Sequence, residues 1–81
     1  MNNKFNKWLD TFLAEKDINL EATFEFNNDN GWNLMDYATV VEYVKNTTKD
    51  NQTKVKNTLV KIDFMNGDVL HFLRYLGKGV A

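Results

Sequence analysis

Ile18-Asn19-Leu20-Glu21-Ala22-Thr23-Phe24-Glu25-Phe26 runs into Asn27-Asn28-Asp29-Asn30-Gly31. Apolar side chains at 18, 20, 22, 24 and 26 alternate with polar ones, which predicts a strand with one face in the core. The Asn/Asp/Gly run tolerates positive φ and side-chain-to-backbone turns, so the chain is expected to reverse there. A helix should follow Gly31. Asn33 followed by Asp36 resembles a capping box, and Trp32 ahead of it can staple onto Tyr37. A helix over 34–46 is therefore expected, with Leu34, Tyr37, Ala38, Val40, Val41 and Val44 on one face and Met35 and Tyr43 outside it.

Upstream, Phe5, Trp8, Leu9, Phe12 and Leu13 follow the i, i+3, i+4 spacing of a helical face, with Asn2 or Asn3 as cap. Downstream, Thr47-x-x-Asp50 opens a short helix over about 49–58. Thr58 to Met65 alternates again, with Val60, Ile62 and Phe64 on one side, and reads as a second strand. Asn66-Gly67 then admits either a hairpin or a helix. The helix is favoured, because Val69, Phe72, Leu73, Leu76 and Val80 share a face, whereas a hairpin would mix core and solvent positions. Asn66 or Asp68 caps it, and Gly77 or Gly79 stops it.

The expected order is α-β-α-(α)-β-α. This is an α+β fold with a two-stranded antiparallel sheet packed against helices, or three strands on the hairpin reading. At 81 residues, with no repeat or linker, residues 1–81 are read as a single small globular domain. Such a chain buries only roughly 60% of its extended surface, so its six Phe, three Tyr and two Trp carry much of the core.

Composition narrows the function. With no Cys there is no disulfide, thiolate zinc site or cysteine nucleophile. One His, His71, and eleven carboxylates without motif spacing leave no catalytic, metal or cofactor set, so an enzyme is not expected. The Asn27–Gly31 run is no calcium loop, since Phe26 and Tyr37 would fall at its first and last ligand positions. Without an apolar leader or membrane-length run, a cytoplasmic protein with no membrane association is expected. Abundant Asn and Lys beside a single Arg match AT-rich coding, which suggests a low-GC bacterium, a phage or another mobile element.

Charge is polarised. Residues 1–42 carry three lysines against eight acids, and residues 43–81 seven cations against three acids. Lys45, Lys49 and Lys56 would form a stripe on a continuous helix, with Lys54 and Lys61 nearby; these five are the nucleic-acid candidates. A net charge of −1 and a lone Arg argue against that use. The preferred expectation is a non-enzymatic protein-binding module, such as a phage or mobile-element inhibitor or accessory factor acting on a host defence protein. Its partner would be another protein or a second copy in a homodimer. The candidate contacts lie off the expected core stripes: Met35, Tyr43, Leu70, His71, Arg74 and Tyr75, with Glu21 and Glu25 on the outward side of the first strand.

Overall fold

A computed structural model describes residues 3–62 and 66–80. The elements run α1 (Asn3–Glu15), β1 (Thr23–Asn28), β2 (Gly31–Asp36), α2 (Tyr37–Lys45), α3 (Lys49–Lys61) and α4 (Asn66–Val80). The fold is α+β, with a two-stranded antiparallel sheet against helices. The order is α-β-β-α-α-α, because the second strand precedes the central helices instead of following them.

The expected first helix is α1, which buries Phe5, Leu9, Phe12 and Leu13. It ends as amides reach back over its last turn: Asp17 N–H donates to Ala14 O and Ile18 N–H to Leu13 O, both at 3.1 Å. Asp17 sits between them at φ 55°, the left-handed position of a Schellman stop, and half-buried Ile18 packs on the core. That stop removes residues 18–22 from the expected strand. Ile18, Leu20 and Ala22 still turn toward the core, but in loop geometry, and only Thr23–Asn28 pairs.

The Asn/Asp/Gly run does reverse the chain, and a strand comes after it. Register runs one-to-one from Thr23↔Asp36 to Asn28↔Gly31, leaving Asp29-Asn30 as a two-residue loop. Gly31 takes φ 97°, a region costly for residues with a Cβ. Asn28 Oδ1 accepts from the Asn30 N–H and from Asn33 Nδ2, both at 2.9 Å, and Asn33 Nδ2 also donates to Gly31 O at 2.8 Å. The expected helix cap Asn33 thus serves the hairpin turn. The true cap is Asp36, whose Oδ1 accepts from the Thr39 N–H at 2.8 Å, so α2 begins at Tyr37. Trp32 and Leu34 consequently leave the core, while Met35, expected outside, turns inward and is half-buried.

Residues 58–61 of the expected second strand are helical. Thr48 caps α3 by accepting from the Asn51 N–H at 3.2 Å. Gln52, Val55 and Leu59 make its buried face, and Val60 points to solvent. Buried Gln52 donates to the Val44 and Lys45 carbonyls at 3.2 and 3.1 Å, satisfying the end of α2 from α3. Ile62 closes the helix through its N–H to Thr58 O at 3.0 Å. Asp63, Phe64 and Met65, the remainder of that strand reading, lie outside the described residues, as does Asn2.

The helix reading of the last segment holds, with Val69 and Leu73 fully buried in α4. Asn66 and Asp68 lie inside this helix, Asp68 in its first turn, where a carboxylate suits the dipole. Gly77 and Gly79 do not stop it. Gly77 is where the hairpin seats: a Cβ there would lie 2.8 Å from Phe24 Cζ and 3.3 Å from Met35 Sδ, whereas one at Gly79 meets nothing within 4 Å.

The same substitution should act in opposite directions at these two glycines. Gly77→Ala should destabilise the fold by about 1–3 kcal/mol, overpacking outweighing helix propensity. Gly79→Ala should be stabilising by up to about 1 kcal/mol. Thermal melts of both variants check this, and a Gly77→Ala protein at least as stable as the parent would contradict the close approach.

A candidate docking face on the hairpin

Alternation gives the hairpin two chemically different faces. Phe24 and Phe26 on β1 point inward and are buried, with the Phe24 ring 4.9 Å from that of Tyr37. The other parity, Thr23, Glu25 and Asn27 opposite Asp36, Leu34 and Trp32, points outward. There Trp32 is 74% exposed and Leu34 68%, two residues apart on one strand and on one face. Exposed Glu25 lies directly across from Leu34.

Acids predominate in the hairpin's own stretch of sequence, while Lys16 and Arg74 come up to its Thr23 end, where they line one cavity with Thr23 and Tyr37. Residues 17–44 hold Asp17, Glu21, Glu25, Asp29, Asp36 and Glu42, and neither Lys, Arg nor His. Hydrogen bonding by the Thr39 side chain, then by its backbone N–H, holds the Asp36 carboxyl below the ordinary 3.8. Asp36 therefore stays ionised at the end of the outward row.

The expected contact residues scatter. Tyr43, 40% exposed, lies on α2 beside a shallow depression that reaches Val80 on α4. Leu70 is half-buried against the core. Arg74 donates from Nε to the Tyr37 hydroxyl at 2.9 Å and lines a cavity of about 320 Å³ with Leu70 and the 16–23 segment. His71 is exposed, and Tyr75, 69% exposed, stacks on Phe72 at 6.3 Å between centroids. Glu25 is on the outer sheet face as expected, whereas Glu21 belongs to the preceding turn, its N–H on Asn19 Oδ1. Met35 is on the opposite face. Among the described residues no three His, Cys, Asp or Glu side chains come together as a metal site, and no helix is long and apolar enough to cross a membrane.

The lysine stripe divides as well. The chain breaks helix between Lys45 and Lys49, and Lys45 pairs with Asp10 of α1 at 2.7 Å. Lys49 and Lys56 join Lys4 in a dip between α1 and α3, floored by Gln52 and edged by Thr53 and Asn57. Lys56 Nζ also stands 5.2 Å from the centre of the Trp8 ring. Lys54 and Lys61, seven residues apart on α3, are exposed and line no part of that dip.

Comparisons with protein-family models, curated proteins and solved structures find no match to this chain. Residue-level geometry therefore carries the functional reading. Trp32 and Leu34, absent from the contacts expected from sequence, are hidden there because the helix expected over 34–46 puts Leu34 on its core face and staples Trp32, ahead of the cap, onto Tyr37. A signal was available: alternation on both sides of a two-residue loop, the spacing of a hairpin.

Asp36 supplies a pH test. Its folded pKa lies below the unfolded value of about 3.9, so its contribution is present above that pH and is lost as pH falls through the folded value. Asp36→Asn keeps a capping oxygen without the charge, and should flatten the fall in melting temperature between about pH 5 and pH 2. An acid limb unchanged in the variant would refute the role assigned to this carboxylate.

Proposed function

We propose that the chain is a non-enzymatic protein-binding module whose docking surface is the outer hairpin face, Trp32 and Leu34 beside Glu25 and Asp36. One observation carries this reading: two large apolar side chains stand side by side on a sheet face that no other part of the described chain covers. Scattered exposed apolar residues are ordinary, but adjacent Trp and Leu on a rigid element form the kind of anchor that dominates interfaces. Burying each fully is worth about 1.5–3 kcal/mol. Small size and AT-rich composition support a phage or mobile-element inhibitor or accessory factor that works in the cytoplasm by occupying a host protein. The partner replaces the homodimer as the cover for this face.

Trp32→Ser combined with Leu34→Ser tests it. Both sites are exposed, so the fold should be nearly unaffected, with changes within about 0.5 kcal/mol each. The parent chain, used as bait in host lysate treated with nuclease, should retain a stoichiometric protein that the double variant loses, while Tyr75→Ser retains it. Equal retention by the double variant would overturn the assignment of the face.

A second reading rests on the convergence of Lys4, Lys49 and Lys56 on one dip, an arrangement suited to phosphate oxygens. On that reading Lys49→Glu with Lys56→Glu abolishes retention on a DNA or RNA column at low salt. Retention that is weak and unaltered by these changes removes it.

A further inference from the structure

The mode of docking can be read from the backbone, on the reading that the outer hairpin face is the docking surface. A two-stranded sheet has two free edges. Among the described residues, beyond the β1–β2 ladder, no backbone hydrogen bond reaches residues 23–28 or 31–36; the nearest, Tyr37 N–H to Ala22 O at 3.2 Å, merely continues the same ladder. Unpaired edges invite pairing with another chain, and proteins ordinarily guard them with Lys, Pro, bulges or very short strands. Residues 23–28 and 31–36 hold no Lys, Pro or bulge, and their charges are Glu25 on β1 and Asp36 at the end of β2. Each strand has six residues in unbroken register, and residues 17–44 contain neither Lys nor Pro.

The edges differ in what lies beside them. A strand added next to β1 would run alongside the outward polar side chains of Thr23, Glu25 and Asn27. One added next to β2, about 4.8 Å away, would set every second side chain against Trp32 and Leu34. Asp36 ends the outward row of β2, and residues 23–36 hold three acids and no cation, so positive charge is drawn to this strand.

We infer that the free edge of β2 accepts an extended segment of a partner protein as a third strand, whose outward side chains are apolar beside Trp32 and Leu34 and Lys or Arg beside Asp36. A second copy is a poorer occupant on charge. Its hairpin repeats the same cation-free acidic stretch, and nearly all its described cations are on helices, where they cannot supply a basic strand.

Three synthetic peptides of about eight residues test this against the full-length chain: a Val/Lys peptide with Val and Lys together on one face and Thr on the other, the same peptide N-methylated at alternate residues along one edge, and a Val/Glu peptide with Glu in place of Lys. The readouts are backbone amide shifts and hydrogen exchange. The Val/Lys peptide should protect amides within 31–36, weaken about tenfold between roughly 50 mM and 500 mM NaCl, and lose at least about tenfold in affinity on N-methylation of its pairing edge. Failure of the Val/Lys peptide to bind, equal binding by the N-methylated or Val/Glu peptide, or protection confined to 23–28 would overturn strand addition at β2. So would sedimentation showing a dimer whose 31–36 amides are already protected without peptide. Loss of partner capture by the Trp32→Ser, Leu34→Ser chain alongside any of those results would leave the docking face standing and remove only the mode of entry.

Discussion

Phe24 pressed onto the bare backbone of Gly77 is the contact on which the rest of this fold depends. A lone hairpin is marginal in water and needs a surface to lie against. Here α4 supplies it at a position without a side chain, and Met35 closes beside Phe24 on the same spot. Tyr37 then packs its ring on Phe24, and its hydroxyl accepts a hydrogen bond from Arg74 of α4, so the helix–sheet junction is fixed from both sides. Once Phe24 and Met35 face α4 and Phe26 faces the core, strict alternation obliges Glu25, Trp32 and Leu34 to face water. The outer face is thus a consequence of the inner packing.

Legibility in the sequence tracks the strength of each local signal. Helix α1 is legible because five apolar residues fall on one stripe, and α4 because a hairpin alternative would mix its faces. Over 58–61 the strand expected at 58–65 gives way to helix because Leu59 and Val55 are one helical turn apart, and burying them with Gln52 outweighs the β preference of Val60 and Ile62. The helix expected over 34–46 begins only at Tyr37, its first residues being spent on β2. Asn33 and Asp36 are both good caps, and only the pairing of residues 31–36 with 23–28 decides that Asn33 serves a turn and Asp36 a helix. The alternation on both sides of the loop is a trace of that pairing, but within a short window it competes with an equally regular helical face.

The candidate site is half legible for the same reason. Glu25 can be placed outward from alternation alone, and the polarity of charge along the chain is visible at once. Trp32 and Leu34 are not visible as surface, because a helical register buries them, and Met35 moves the other way when the register becomes that of a strand. The lysines show how a stripe dissolves when its helix is broken: Lys45 turns to Asp10, Lys49 and Lys56 join Lys4, and Lys54 and Lys61 stand apart. The resulting molecule separates its chemistry, with an acidic hairpin carrying exposed apolar anchors and helices carrying most of the positive charge.

Acrylamide quenching of Trp32 fluorescence, in a Trp8→Phe background and at concentrations where the chain is monomeric, tests the outward placement most directly. The account predicts quenching close to that of a free tryptophan side chain, in keeping with an indole that is 74% exposed on the sheet. A shielded Trp32 in the monomer would mean that it packs into the core, as the helix staple would require, and would contradict both the hairpin face and the function built on it.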